Sequence, residues 1–500
     1  MVEMLMESLS LLFQWSNILA LTGGTLLGLI VGAIPGMQGS MVVAIGLPVT
    51  LFMRPETGIL LHLGIYKAAN FGGSIPAILI HTPGTIAAVA TTFDGYPLTQ
   101  QGKAGKALKM ALYSSTIGDA FSDVVTLLVA VHIARFALKF GPFEYFGLLL
   151  FTYIIIAVVS RGSTVKGLMG AALGMAFATI GTDPIQGFPR FTFGYSDLQG
   201  GISLVAFLMG LYALSQIIVE VEDMMASGKA TKAMLIKSPN PDDNRVTPEE
   251  FRRCLPTIFK SGCIGTVLGA LPGIGPAISS FVCYGEAKRS AKDPDRFGKG
   301  ALEGVAAAEG GNSSVCGANL IPLLTLGIPG DMVAAVLLGA FMIHGMQPGP
   351  LLFQESGVVV YAILLGMILI DVLMFLFGQL FIKGLIAAIG VSKAVLYPVV
   401  LLLCVAGMYA YNSDMFDVSA MLAMGIIGYV LRRLNFPLAP MAIGFVLGSM
   451  TEEKLRQSLI LARGNPLAFF SHPIAVVFLI LTIMALSWYI WSEYRKGKPA

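Results

Sequence analysis

The sequence predicts an all-α polytopic membrane protein of about 10–13 transmembrane segments, built as two inverted-topology repeats that each carry broken or re-entrant helices. Three observations predict it. The chain of 500 residues is 55% hydrophobic and 12% charged, with a mean hydropathy of +0.78, whereas soluble domains carry about 25% charged residues. Its unbroken apolar runs, such as Gly357 to Ile382, have helical rather than strand length, which excludes a transmembrane barrel. A Pro-Gly pattern also occurs twice, in the same order, in the two halves of the chain.

The elements follow in order. Residues 1–16 are expected to form an N-terminal helix in the membrane interface, since Glu3, Glu7, Ser10 and Gln14 alternate at helical spacing with Leu5, Leu9, Leu12 and Phe13; extension of the first span is the alternative. Glu3 and Glu7 stand where a signal peptide carries basic residues, so this end is expected to be retained. Residues 17–221 read as the first membrane repeat, 222–256 as a charged linker with Pro239, Pro241 and Pro248, and 257–500 as the second repeat with the C-terminal spans. The stretch from Glu220 to Lys260 holds 14 charged residues, and Tyr284 to Glu303 holds nine more, so both face water. Spans are expected at about 107–131, 143–160, 163–183, 200–220, 357–382, 394–411, 415–431, 436–450 and 472–491.

Several functions are set aside by composition. A net charge of +3 offers no concentrated basic surface for nucleic acid. The five cysteines form no CxxC pair and read as small buried hydrophobes. No GxxxxGK[ST] loop, HExxH or GxSxG occurs, which argues against an ATP-driven pump and against a hydrolase.

The repeat is specific. Val31 to Gly36 (VGAIPG) matches Leu268 to Gly273 (LGALPG), and Ile75-Pro76 with Pro83-Gly84 matches Ile321-Pro322 with Pro329-Gly330, each followed by Ala-Ala-Val. Basic residues change sides between the halves. The loop after the first motif holds only Arg54 in one half but Lys288, Arg289, Lys292, Arg296 and Lys299 in the other. The loop after the second motif holds Lys103, Lys106 and Lys109 in the first half and no Lys or Arg over Met346 to Ser356. Because Lys and Arg collect on the cytoplasmic side, equivalent loops would face opposite compartments, although parallel repeats stay open.

Proline beside glycine breaks a membrane helix and frees backbone N–H and C=O groups that lipid cannot satisfy. Paired breaks in two halves point to a transporter's central site, where half-helix N-termini suit an anion and freed carbonyls suit Na⁺. The residues expected there are Pro35, Gly36, Gln38, Asn70, Gly72, Gly73, Ser74, Thr82, Pro83 and Gly84 in the first half. In the second half they are Pro272, Gly273, Asn312, Ser313, Ser314, Asn319, Pro329 and Gly330. A Na⁺ site is expected near Asn70, Ser74, Asn312 and Asn319. The same Ser, Asn and Gly residues would equally serve as glue between helices.

Ionisable residues in or near apolar segments are Lys67, Asp119, Asp123, Glu309, Asp331 and Asp371. Lys67 and Glu309 precede the Gly-rich stretches and are placed to help bind solute or cation. Asp331 reads as a first-turn acid at a helix start. Asp371, mid-run, should face protein and hold a structural partner.

The stretches GLIVGAIPGMQG, AANFGGSIPAILIHTPGT with DGYPLTQQGKAGKAL, VLGALPGIGPA and GANLIPLLTLGIPGD resemble the large permease subunit of the tripartite tricarboxylate transporters over most of the chain. The resemblance implies a multi-pass protein of the bacterial inner membrane that works with a small integral membrane subunit and a periplasmic solute-binding protein. It implies import of di- or tricarboxylates such as citrate, driven by a Na⁺ or H⁺ gradient and without a cofactor. The family's motif positions map onto Pro35, Gly36, Asn70, Gly73, Ser74, Pro76, Pro83, Gly84, Pro272, Gly273, Asn312, Ser313, Pro322, Pro329 and Gly330. A carboxylate or ion channel, or a cation/solute antiporter without a binding-protein partner, is the alternative, and a homo-oligomer stays open.

Overall fold

The computed structural model describes residues 2–159, 163–183, 185–227, 241–388 and 393–496. Linker positions 228–240, the last residue of the span expected at 143–160 and the terminal residues 497–500 lie outside them. Helices dominate. In chain order they are α1 (Val2–Leu12), α2 (Trp15–Gly32), α3 (Gly39–Thr50), α4 (Pro55–Gly72), α5 (Ser74–Ile80), α6 (Val89–Gln100) and α7 (Ala104–Ala137). Then come α8 (Pro142–Val159), α9 (Thr164–Ala178), a two-residue hairpin of β1 (Gly181–Thr182) and β2 (Pro189–Arg190), α10 (Leu204–Leu208) and α11 (Ser215–Ser227). The second half runs through α12 (Pro248–Gly269), α13 (Pro276–Ser290), α14 (Leu302–Ala318), α15 (Leu320–Leu326), α16 (Met332–Ile343), α17 (Leu352–Glu355) and α18 (Gly357–Ala388). It ends in α19 (Lys393–Asn412), α20 (Met415–Arg433), α21 (Leu438–Leu461) and α22 (Pro473–Lys496).

Among the described residues six helices are long and apolar enough to cross a bilayer: Trp15–Gly32, Ala104–Ala137, Leu204–Ala226, Gly357–Phe381, Val395–Asn412 and Met415–Arg433. Five shorter apolar helices accompany them, so the all-α polytopic class holds. Three expected spans have different bounds. The one at 163–183 stops at Ala178, because Gly181 takes a positive φ of 122° and opens the hairpin. The one at 200–220 begins at Leu204 and contains a π-helical turn, Met209–Leu214. The one at 436–450 continues to Leu461, past Glu452, Glu453, Lys454 and Arg456, so its last turns are polar rather than apolar.

The chain folds as two compact units, Met1–Ala134 with Gln216–Gly407, and Arg135–Ser215 with Met408–Ala500. The first unit gathers both Pro-Gly repeats. Within it α2 lies on α4 through Gly24, Gly28 and Gly32, four residues apart on one face; a β-carbon on Gly28 would stand 2.6 Å from the Ile65 carbonyl oxygen. Gly265 and Gly269 of α12 meet Gly311, Ser314, Val315 and Ala318 of α14 in the same way. Without a hydrophobic drive between helices in lipid, such close backbone approach supplies the packing. Helix α12 starts from a capping box, with the Thr247 hydroxyl accepting from the Glu250 amide (3.3 Å) and the Glu250 carboxylate from the Thr247 amide (2.9 Å). Helix α1 is separate from the first span, and its Ser8 donates to the Val358 carbonyl at 3.0 Å.

In the second unit α9 and α21 approach through Gly170, Gly174, Gly444 and Gly448, and Phe207 stacks on Phe445 with ring centroids 3.8 Å apart. Its hairpin is held by charge: Arg456 reaches Asp183 at 2.9 Å, and Arg190 reaches Glu452 at 2.6 Å.

Candidate functional site

The two repeats follow the same backbone path at their breaks. Ala33 and Ala270 cap the first helix of each half with identical angles, φ −70° and ψ −12°. The glycines after the prolines then turn into the left-handed region, Gly36 at φ 91° and Gly273 at φ 88°, a conformation that only glycine takes freely. Four helices resume without an interruption longer than a few residues, and α3 and α13 both start without a side-chain cap. In α3 the Met41 and Val42 amides bond the Gln38 carbonyl, and in α13, which opens on Pro276, the Ile278 and Ser279 amides bond the Gly275 carbonyl, so the N–H groups of Gly39 and Ser40 in α3 and of Ala277 in α13 lie outside these bonds. At the second motif Gly73 and Asn319 occupy the joint between two helices with φ near −60° in both (−63° and −60°). The short helices α5 and α15 are then terminated by left-handed His81 (φ 57°) and Gly327 (φ 70°).

Hydrogen bonds tie these breaks together. In the first repeat the Gly84 amide donates to the Gly73 carbonyl at 3.0 Å, and in the second the Gly273 amide donates to the Gly330 carbonyl at 2.9 Å. Asn70 Nδ2 donates to Asn312 Oδ1 at 2.7 Å, joining α4 to α14 across the repeats. Ser74 donates to Glu309 at 2.6 Å, and so do Thr91, in a short contact, and Ser115 at 2.9 Å. Asn319 Nδ2 donates to the Tyr66 hydroxyl at 3.0 Å, which donates to Asp331 at 2.8 Å. The other Asp331 oxygen accepts the Ala334 amide at 2.7 Å, so Asp331 is an N-cap of α16, as its sequence position suggests.

The expected residues thus separate. Asn70 and Asn312 are paired, whereas Ser74 turns to Glu309 and Asn319 to Tyr66, so these four hydrogen-bond within three adjacent groups. Ser314 faces the Gly311 carbonyl at 3.3 Å and serves the α12–α14 contact. Gly72 packs against Leu29 and Gly32, and Gly36 against the Glu220 carboxylate. Gln38 is half-buried, Thr82 is exposed, Pro83 is half-buried, and Pro272 and Pro329 are buried. Besides Thr85 Oγ1 and Asn319 Oδ1, two buried polar atoms at this centre have no hydrogen-bond partner among the described residues, Asn312 Nδ2 and Ser313 Oγ. Both are in the densest polar motif and remain able to bond a solute.

The charges gather one turn away. Lys67 Nζ meets Asp123 in a short contact, Asp371 at 2.9 Å and Asp119 at 3.5 Å, all buried, and donates to the Met367 carbonyl at 3.1 Å. Asp371 therefore does hold a structural partner, Lys67. Sequence reading did not single out Tyr66, Asp94, Thr91 or Ser115. Asp94 accepts the amides of Gly298, Gly300 and Ala301 at 2.8 Å each and the Tyr284 hydroxyl at 2.9 Å. Its position in the DGYPLT stretch was the available signal; the hydroxyls offered none, since their partners are distant in sequence.

A polytopic α-helical protein whose two repeats are each interrupted at matched Pro-Gly turns, with polar groups converging from both, has the make-up of a secondary transporter. Residues 18–443 match the family model described as Tripartite tricarboxylate transporter TctA family. The chain belongs to this family and is a tricarboxylate transporter subunit. It is 34% identical over 475 residues, 94% of this chain and 93% of the relative, to a 52.8 kDa Agrobacterium vitis protein described as uncharacterized and placed in the TAR-I ttuC' 3' region. It is 36% identical over 222 residues, 44% of this chain and 92% of the relative, to a second Agrobacterium vitis protein, from the TAR-II ttuC' 3' region. No solved structure matches the chain.

Proposed function

We propose that the chain imports di- or tricarboxylates of the citrate type by cation symport across a bacterial inner membrane. In this reading a periplasmic binding protein delivers the solute and a small integral membrane subunit completes the transporter. The observation that carries it is the pair of uncapped helix starts, α3 after Gly36 and α13 after Gly273, each preceded by a left-handed glycine. The start of a helix carries partial positive charge and suits carboxylate groups without a buried arginine. The buried motif residues Asn70, Ser74, Asn312 and Ser313 have the amides and hydroxyls to orient a hydroxy-acid or to hold a coupling cation.

Proteoliposomes containing the three subunits and supplied with labelled citrate test this. Accumulation above equilibrium is expected only under an inward Na⁺ or H⁺ gradient. Flux that neither saturates nor responds to a gradient would replace the symporter with a channel.

A further inference from the structure

Lys67, Asp119, Asp123 and Asp371 form a closed charge cluster from three helices, α4, α7 and α18. The three carboxylates each bring an oxygen within 4.8 Å of the other two, and one ammonium stands among them. With every group ionised the cluster carries a net charge of −2 in a fully buried setting. Uncompensated charge inside a membrane protein is strongly disfavoured and attracts a proton or cation. A second observation points the same way. Both oxygens of Asp119 and Asp123 Oδ1 have no hydrogen-bond partner among the described residues, and neither does the fully buried hydroxyl of Ser122. Ser122 Oγ and Asp123 Oδ1 both occupy the space where a side chain at Gly317 would begin: a β-carbon there would lie 2.6 Å from the Ser122 oxygen and against the Asp123 oxygen. An unused hydroxyl thus sits beside an unused carboxylate oxygen.

We propose that this cluster is the site of the coupling proton, held by Asp119 with Asp371 while Asp123 stays with Lys67. The inference rests on the symport reading above and names the ion and its place. Binding forms one O–H bond, converts a carboxylate to a carboxylic acid and takes the cluster from −2 to −1; release returns the proton to water on the other side. Na⁺ fits this site poorly, because an ion touching all three carboxylates would lie next to the Lys67 ammonium in a medium that screens their repulsion weakly. A proton needs only two carboxylates close enough to share it, which holds one of them neutral.

The cluster is wired to the motif residues. Lys67 is one turn from Asn70 on α4, and Asn70 is bonded to Asn312. Asp119 is one turn from Ser115 on α7, and Ser115 is bonded to Glu309. Other titratable groups facing this region are Cys316 on α14, 3.2 Å from Asn70 Nδ2, Glu309 on the same helix, and the Tyr66–Asp331 pair. Tyr66 directly precedes Lys67 in α4, and Cys316 lies within electrostatic reach of Asp119 and Lys67, so charge on Asp119 should reach the solute site through α4, α7 and α14.

Infrared difference titration of the purified full-length protein tests the site without transport. A carboxylic-acid C=O band persisting at neutral pH is expected in wild type and in Asp123→Asn, and its loss is expected in Asp119→Asn. A band unchanged in Asp119→Asn and in Asp371→Asn would overturn the proposal. Stoichiometric binding of radiolabelled Na⁺ that disappears in Asp119→Asn would overturn the proton assignment. In proteoliposomes of the complete transporter, Asp119→Asn should lose pH-gradient-driven citrate accumulation, with Asp119→Glu restoring it. Should wild type move no citrate while the infrared result stands, the transport reading fails and the protonated cluster survives. Size-exclusion profiles identify any variant that has merely unfolded.

Discussion

The two repeats share a backbone but not a way of fastening it. At the joint before the short helix the first repeat has Gly73 and the second has Asn319, with nearly the same φ and ψ. Gly73 lets Thr85 and Gly84 close directly onto the backbone. Asn319 instead fills that place with an amide that lies against Gly330 and bonds Tyr66. The ends of the short helices differ as well. His81 and Thr82 are exposed, whereas Gly327 to Gly330 are buried, with the Pro348 carbonyl against Gly327. One duplicated motif therefore yields an open tip, where His81 stacks on Tyr96, and a covered tip, where Asn319 fills the joint and the Pro348 carbonyl lies against Gly327.

Five substitutions would sharpen or break this contrast. The largest effect is expected for Gly84→Ala, whose β-carbon would meet the Gly32 carbonyl oxygen at 2.5 Å and the Gly73 α-carbon at 2.9 Å. Backbone cannot step aside, so a loss of about 3 kcal/mol, at the upper end for overpacking, should appear as a lowered Tm in detergent. Gly327→Ala adds to the left-handed conformation a β-carbon 2.6 Å from the Pro348 carbonyl oxygen and should cost about 2–3 kcal/mol, while His81→Gly, already left-handed with a side chain and stacked on Tyr96 at 4.7 Å, should stay within about 1 kcal/mol of wild type. Equal and large losses at both positions would remove the distinction between open and covered tips. Gly330→Ala meets the Asn319 side chain first. It should cost about 1–2 kcal/mol, and the added change Asn319→Gly should recover most of it; absence of rescue would show that the two tips are built alike after all.

The smallest effect lies in the second unit, where charge replaces backbone as the fastener. The amides of Gln186 and Ile185, with Arg456, lower the Asp183 carboxyl to about 2 from 3.8. A carboxyl with a depressed folded-state pKa contributes stability above its unfolded value and loses it as the pH falls through the folded one. Protease nicking of residues 181–190 should therefore rise between pH of about 4 and about 2 in wild type. In Asp183→Asn it should be raised and pH-independent over that window.

Much of this architecture was legible because it depends on local chemistry. Proline beside glycine at 35–36 and 272–273 ends a helix wherever it occurs, and the apolar run from Gly357 onward has one outcome in a bilayer. Asp331 declared itself by standing just before a helix. The rest depends on encounters between distant residues. That Lys67 meets three aspartates follows from the placing of α7 and α18 beside α4, which no periodicity encodes. Ser74 and Asn319 look interchangeable in sequence, yet one faces Glu309 and the other Tyr66. The grouping of 135–215 with 408–500 as one compact unit interleaves the halves, since contacts rather than chain order define it.

Asp94 has a consequence for how the protein is made. Its three backbone donors lie 204 to 207 residues further along the chain, and at about 5–20 residues per second a ribosome takes about ten to forty seconds to reach them. For that interval a side chain destined for complete burial has none of those partners, and Lys67 must wait longer still for Asp371. The first repeat can thus be inserted early but not finished, and its completion is timed by synthesis of the second.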